Sequence, residues 1–94
     1  MEYKPREGIV KVSVCGVNLL VPTRRASEHC PNIATLSMLE SIFWSQLCRG
    51  KTVEDSCAFY AGLTFKPVEE ARPVVENFFE RLAEKGFVVP AEES

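Results

Sequence analysis

The chain has 94 residues, which suffice for one domain with one hydrophobic core and are too few for two. Its formal net charge is −2, so it lacks the bulk positive field that attracts nucleic acid. The N-terminal residues are polar and charged, and no apolar run approaches the roughly 20 residues of a membrane span. We therefore expect a cytoplasmic protein that binds neither nucleic acid nor membranes.

The first third of the chain predicts a β-hairpin. Residues 9–14 alternate apolar and polar side chains, a pattern typical of a half-buried strand. In that strand we expect Val10, Val12 and Val14 to share the buried face. Cys15-Gly16 then predicts the hairpin turn, because glycine tolerates a positive φ.

Two further strands are predicted before the first helix. Residues 17–21 form the second strand, which Pro22 ends. Residues 32–36 predict a short third strand without charge, and Pro31 before it suits an edge position. An uncharged edge offers unpaired backbone groups to another chain.

The first helix begins at a capping box. Ser37 is the predicted N-cap and Glu40 the acidic residue that reaches back to it. Gly50 lies where a glycine commonly follows a helix end. The apolar side chains recur at helical spacing, with Trp44 flanking the row: Leu39, Ile42, Phe43 and Leu47.

The second helix begins near Thr52, with Asp55 close to its positive N-terminal end, and runs to Gly62. Its apolar positions are Val53, Cys57, Phe59 and Tyr60.

The third helix lies within residues 68–85. Because a proline inside a helix removes a hydrogen bond, Pro73 predicts either a start near residues 69–72 or a kink. Gly86 ends the helix. The predicted buried stripe comprises Val75, Phe78, Phe79 and Leu82.

The resulting order is β-β-β-α-α-α. It predicts an α+β domain of the winged helix-turn-helix type, with a three-stranded antiparallel sheet followed by three helices. We expect a single domain over residues 1–94 with an ordered core over about 9–89. Residues 1–8 and 91–94 are predicted to be terminal tails, and residues 87–89 can fold back on the core.

The four cysteines and the single histidine do not form a site of known spacing. No Cys-x-x-Cys pair is present, so we expect reduced, buried thiols and no metal. Cys30 follows His29, but two groups adjacent in sequence rarely face one substrate, and no third orienting group is evident. These observations favour a non-enzyme that needs no cofactor.

The combination of elements resembles the PqqD-like family. One departure is Ser37, which stands where the family often has asparagine and is an equivalent cap. The match covers most of residues 9–89. The resemblance rests on Leu36-Ser37, Ile42-Phe43-Trp44, Leu47, Gly50, Thr52-Val53-Glu54, Val75, Phe78-Phe79, Leu82 and Gly86-Phe87.

The resemblance implies a peptide chaperone of ribosomal peptide modification pathways. Such a domain binds the leader segment of a precursor peptide as an added strand and presents the peptide to a modifying enzyme, often a radical S-adenosylmethionine enzyme. The leader lies along the third strand with its side chains against the third helix. The peptide-binding residues this implies are Asn32, Ile33, Ala34, Thr35, Leu36, Arg72, Glu76 and Phe79.

Alternatives to these assignments remain open. Phe79 could equally fill the core, and Arg72 and Glu76 could be solvated charges. Arg24 and Arg25 are either a solvated loop or contacts for an acidic leader or a partner enzyme. The chain could be a monomer or a homodimer.

Two other functions share the predicted architecture. A winged-helix DNA-binding regulator would need a basic recognition helix, whereas the third helix and its start carry more acidic than basic residues. A non-catalytic scaffold subunit is the second alternative. A salt titration on duplex DNA distinguishes the regulator from a peptide-binding protein.

Overall fold

The computed structural model describes residues 2–23, 26–28 and 30–92, so the predictions for Arg24, Arg25 and His29 lie outside the described residues. Strands come first, three helices follow, and a short strand ends the described chain. The elements are β1 (Tyr3–Pro5), β2 (Ile9–Val14), β3 (Val17–Pro22), β4 (Ala34–Leu36), α1 (Met38–Cys48), α2 (Val53–Thr64), α3 (Val68–Lys85) and β5 (Val88–Pro90).

The predicted α+β class, with antiparallel sheets and three helices, is confirmed. The three predicted strands form one sheet in the order β2-β3-β4. A second sheet, β1-β5, was not predicted, because its two strands are three residues long and neither shows a clear alternation. Pairing of Lys4 with Val89 at its centre joins the two ends of the chain, and the Arg6 side chain adds a 2.6 Å hydrogen bond to the Gly86 carbonyl.

The hairpin forms as predicted. Cys15 and Gly16 both have positive φ, 52° and 80°, which defines a two-residue turn whose twist matches that of the flanking strands. Val14 pairs with Val17 across the turn, and Val12 pairs with Leu19 at the centre of the ribbon. The register of β2 and β3 follows from this turn.

The predicted burial of Val10, Val12 and Val14 is wrong. All three are exposed, whereas Leu20 and Leu36 on the opposite face of the sheet are buried. The sheet therefore packs on the helices through the face that contains Leu20 and Leu36. The alternation in β2 correctly identifies an apolar face of the strand, but the helices pack against the opposite face of the sheet.

The capping predictions for α1 are confirmed. The Glu40 N–H donates to Ser37 Oγ at 3.2 Å, and the Ser37 N–H donates to Glu40 Oε1 at 2.9 Å. Gly50 follows the helix end with a φ of 87°. Of the predicted stripe, Phe43 is buried but Ile42 is exposed, because α1 turns its Phe43, Trp44 and Leu47 side toward the core.

Helix α2 also begins at a capping box. Thr52 Oγ1 accepts from the Asp55 N–H at 3.0 Å, and the Thr52 N–H donates to Asp55 Oδ2 at 2.9 Å. The helix continues two residues past Gly62 and ends where Phe65 takes a left-handed conformation. Phe59, one of the predicted apolar positions, is exposed.

Helix α3 spans Val68–Lys85, the range predicted for it. Of the two alternatives that Pro73 left open, the start near residues 69–72 does not occur, and Pro73 lies inside the helix. A proline at this position leaves the Glu69 carbonyl without its usual partner. Glu69 and Pro73 are both exposed, so water can hydrogen-bond that carbonyl. Gly86 ends the helix with a φ of 89°, as predicted.

The core lies where the three helices meet the inner face of the sheet. The predicted stripe of α3 is confirmed as buried. Phe79 is fully buried, with its ring centroid 5.0 Å from that of Phe78 and 6.4 Å from that of Phe43. Tyr60 of α2 meets Phe43 edge to face, so the aromatic rings join all three helices.

Candidate functional site

Among the described residues, strand β4 pairs with β3 along one edge and with no strand along the other, which is the open edge of the sheet. In a two-residue hairpin, the two residues that flank the turn, here Val14 and Val17, are hydrogen-bonded to each other. Along the strands, hydrogen-bonded pairs then alternate with pairs that are not hydrogen-bonded. The 2.8 Å hydrogen bond from the Thr23 N–H to the Gly8 carbonyl continues this alternation past the end of the hairpin. The backbone groups of Asn18 and Leu20 therefore point toward β4, where they face Leu36 and Ala34.

It follows that Thr35 is the residue of β4 whose backbone N–H and C=O point away from β3. These two groups lie on the open edge and are available to an added strand. The strand carries no charged side chain, so it lacks the usual protection of an exposed edge.

The other edge of the sheet, β2, differs in this respect. Lys11 lies on its inner face, opposite Leu20, and its ammonium group donates to Ser41 Oγ and Ser45 Oγ of α1, both at 2.9 Å. An inward-pointing charge on an edge strand opposes the addition of another strand. Of the two edges of the sheet, β4 is therefore the less protected against an added strand.

A groove runs between β4 and α3. Its volume is about 80 Å³. Leu36, Phe78 and Leu82 supply an apolar floor, because all three are buried side chains of the core that reach this surface. The lining residues are Ala34, Thr35, Leu36, Glu40, Phe78, Arg81, Leu82 and Lys85.

Charged side chains surround this floor. Arg81 of α3 lies 3.6 Å from a carboxylate oxygen of Glu40 on α1, in a pair that is open to solvent on the arginine side. Lys85 lies one helical turn beyond Arg81 and is exposed. The groove thus combines an apolar floor with two cations and one anion at its rim.

The structure places some of the predicted site residues in this groove. Ala34, Thr35 and Leu36 form β4 and line it. Asn32 and Ile33 precede the strand and are exposed.

The three predicted residues of α3 lie elsewhere. Phe79 is fully buried in the core, which is the alternative that the sequence left open for it. Arg72 forms an ion pair with Glu54 of α2, at 2.5 Å, and this hydrogen bond raises the pKa of the guanidinium. Glu76 does not line the groove but lies with Pro73 and Asn77 on an adjoining surface of α3, which shares Arg81 with it. Their side chains are therefore not brought to the groove beside β4.

Sequence reasoning missed the α3 residues that do line the groove. Arg81 and Leu82 lie three and four residues after Phe78, and Lys85 lies four and three residues after them, so all four share one helical face. The sequence feature that could have identified them is the boundary between the buried stripe of α3 and its charged face. At this boundary the apolar Phe78 is followed, one and two turns later, by the cations Arg81 and Lys85. The buried stripe has a second boundary beside Phe79, and the sequence alone does not show which of the two boundaries faces β4.

Two of the four cysteines are buried in the core. Cys30 and Cys57 are buried, and burial raises the pKa of both. A thiol with a raised pKa remains protonated and is a weak nucleophile at neutral pH. Cys15 and Cys48 are exposed, so the prediction of four buried thiols is wrong for these two.

Among the residues that the structure describes, no three His, Cys, Asp or Glu side chains are grouped so that they could hold a metal ion. Within the same residues, no helix combines the length and apolarity needed to cross a membrane. No family model matches this chain, and comparison with curated proteins and with solved structures found no match.

Proposed function

We propose that this protein binds the leader segment of a ribosomally synthesised precursor peptide as an added strand on β4. The observation that carries the proposal is an uncharged, open strand edge lying beside a groove with an apolar floor. The resemblance of the sequence to PqqD-like proteins supplies the class of ligand. The protein then acts without a cofactor, as a chaperone and not as an enzyme.

The recognition chemistry is β-augmentation, in which backbone groups contribute affinity and alternate side-chain pockets contribute selectivity. The N–H and C=O of Thr35 bond the leader backbone. Leader side chains on the inner side of the added strand rest on Phe78 and Leu82. Arg81 and Lys85 at the rim favour a leader with an acidic side chain near that contact.

The partner that receives the presented peptide is a modifying enzyme of the radical S-adenosylmethionine class. Leader binding leaves the α2 side of the molecule uncovered, so the complex retains surface for that enzyme. The site of action is the cytoplasm, where precursor peptides are synthesised.

A pair of proline variants tests the site. Thr35→Pro removes the outward-facing N–H of β4, whereas Ser13→Pro removes an outward-facing N–H of the opposite edge strand. Calorimetric titration uses peptides encoded by short reading frames beside the gene, and we expect a dissociation constant on the order of 1 μM or below. Thr35→Pro should weaken binding about tenfold or more, and Ser13→Pro should leave it unchanged.

Chemical-shift mapping provides the second readout. Residues 31–36 and the α3 residues that line the groove should move most on titration, and hydrogen exchange at Thr35 should slow. If the largest shifts fall on residues 10–14, the peptide adds to β2 and the groove assignment is wrong. If no peptide encoded beside the gene binds at high micromolar concentration, alone or with the enzyme present, the proposed function is rejected.

A further inference from the structure

The groove beside β4 can receive side chains from two positions of an added strand. Leu36 is buried on the inner face of the sheet, so Ala34, two residues away, points the same way and Thr35 points outward. Directly opposed residues of neighbouring strands point their side chains to the same face. Two peptide residues, one opposite Leu36 and one opposite Ala34, therefore point into the groove, and the residue between them points outward.

One end of the groove is marked by a contact between α3 and α1. Arg81 pairs with Glu40 at 3.6 Å, and Glu40 accepts a 2.9 Å hydrogen bond from the Ser37 N–H. Since Ser37 directly follows Leu36, Arg81 lies at the Leu36 end of the groove.

The last turn of α3, which contains Lys85, approaches the opposite end of the sheet. Arg6 links the two, since its side chain donates to the Gly86 carbonyl at 2.6 Å and its carbonyl accepts from the first residue of β2 at 3.3 Å. Strand β2 begins opposite the last residue of β3, which lies two residues beyond the partner of Ala34. Lys85 therefore lies toward the Ala34 end of the groove.

The two ends of the groove differ in polarity and charge. The Leu36 end is apolar, because Phe78 and Leu82 line it. The cation at this end, Arg81, is offset by the carboxylate of α1 that lies 3.6 Å away. Among the described residues Lys85 has no such partner, so it carries the excess positive charge of the groove.

We propose that the protein selects leaders with an apolar-x-acidic pattern, in which Lys85 binds the acidic side chain. This selectivity rests on the proposed function, because it requires the added strand on β4. Both strand pairings of the sheet are antiparallel, and a peptide that continues this pattern places the residue opposite Leu36 before the one opposite Ala34. The apolar residue then rests on Phe78, and the acidic residue two positions later reaches Lys85.

The spacing of the two positions fits that of the helix. Alternate residues of a strand lie roughly 7 Å apart, and the rise from Arg81 to Lys85 along α3 is about 6 Å. Lys85 carries its charge on a flexible stem, so it can follow a carboxylate over this small mismatch. Because Lys85 is exposed, the ion pair contributes to the choice of peptide more than to affinity.

Fluorescence anisotropy with labelled synthetic peptides tests the pattern. Four peptides share a background of threonine and serine and differ at three central positions, which are Leu-Thr-Glu, Leu-Thr-Gln, Leu-Thr-Lys and the reversed Glu-Thr-Leu. The wild-type protein should bind the first about threefold more tightly than the second and about tenfold more tightly than the third. The difference should disappear at about 1 M salt, where the Debye length is about 3 Å.

A charge reversal provides the decisive variant. Lys85→Glu should bind the Leu-Thr-Lys peptide more tightly than the Leu-Thr-Glu peptide, a gain that a misfolded protein does not produce. Lys66→Glu makes the same change of charge at an exposed lysine between α2 and α3, and should leave the wild-type preference unchanged. If Arg81→Gln abolishes the preference for glutamate and Lys85→Gln does not, the acid meets Arg81 and the inference is overturned.

Equal binding of the four peptides, or tighter binding of the reversed one, also overturns the inference. The peptides encoded beside the gene test the proposed function separately. If one of them binds and Thr35→Pro weakens it, while the synthetic peptides show no preference, only the selectivity is rejected. If neither the encoded nor the synthetic peptides bind, the selectivity and the proposed function are rejected together.

Discussion

Helix α3 and the outer face of the β2–β3 hairpin, which contains Val12 and points away from the helices, both carry a regular row of apolar side chains, yet only one of the rows is covered. Val75, Phe79 and Leu82 are buried, whereas Val12 and its neighbours face solvent. The difference arises because α3 packs against both the sheet and α2, while the helices reach only one side of the hairpin. Apolar periodicity therefore identifies the apolar face of a helix or strand, but it does not show whether another element of the chain packs against that face.

The largest effect is expected at Phe79. Replacing it by alanine opens a cavity among the rings of Phe43 and Phe78 and should lower the free energy of unfolding by about 3–5 kcal/mol. That is a large part of the 5–15 kcal/mol typical of a small domain. Urea unfolding followed by the fluorescence of the buried Trp44 measures it.

Val74→Ala is the matched control on the same helix. Val74 is about half exposed, so its truncation should change the free energy of unfolding by less than about 0.5 kcal/mol. Equal losses for Phe79→Ala and Val74→Ala would contradict the assignment of the buried stripe.

Two adjacent leucines of β3 compare the faces of the sheet directly. Leu20 is fully buried on the inner face, and Leu19 lies on the outer face. Leu20→Ala should cost about 2–5 kcal/mol of unfolding free energy. Leu19→Ala should cost less than about 1 kcal/mol, because Leu19 is only partly buried. A larger loss for Leu19 would mean that the outer face is covered within the single chain.

A smaller effect is expected at the start of α2. Thr52→Ala removes the side-chain oxygen that accepts from the Asp55 N–H, and should cost about 1 kcal/mol of unfolding free energy. Thr52→Ser retains the hydroxyl and should restore most of it. If serine and alanine destabilise equally, the cap contributes through packing and not through its hydrogen bond.

The smallest effect is a dependence on pH at the same cap. Hydrogen bonds from the Thr52 backbone and side chain hold the pKa of Asp55 below its ordinary value of 3.8. A carboxyl with a lowered folded-state pKa stabilises the fold above its unfolded pKa, and this stabilisation is lost as the pH falls through the lowered value. NMR titration should give that low pKa directly, and the destabilisation caused by Asp55→Ala should shrink below about pH 4. A destabilisation that stays constant down to pH 2 would rule out the charge as its source.

Local chemistry made much of the fold predictable. The capping boxes at Ser37 and Thr52 and the glycines after α1 and α3 are set by residues within a few positions of each other. The hairpin turn at Cys15-Gly16 is equally local. The β1-β5 sheet escaped prediction because each strand exists only through a partner more than eighty residues away.

The candidate site was predictable only in its strand. Residues 34–36 combine short length, absence of charge and a proline nearby, which together indicate an unprotected edge. Which α3 residues line the groove depends on which boundary of the buried stripe faces the edge of β4. Arg72 lies at the boundary next to Glu54, away from the groove, whereas Arg81 lies at the boundary that lines it.

By itself, the sequence determined the α+β class, the order of the main elements, the helix caps and the buried stripe of α3. These follow from residue propensities, periodicity and hydrogen bonds between near neighbours. Only the tertiary structure decided that Leu20 and not Val12 faces the core, and that Phe78 and Arg81 border β4. Both outcomes depend on the rotation of packed elements about their axes, which is set by the summed fit of distant side chains and leaves no local mark in the sequence.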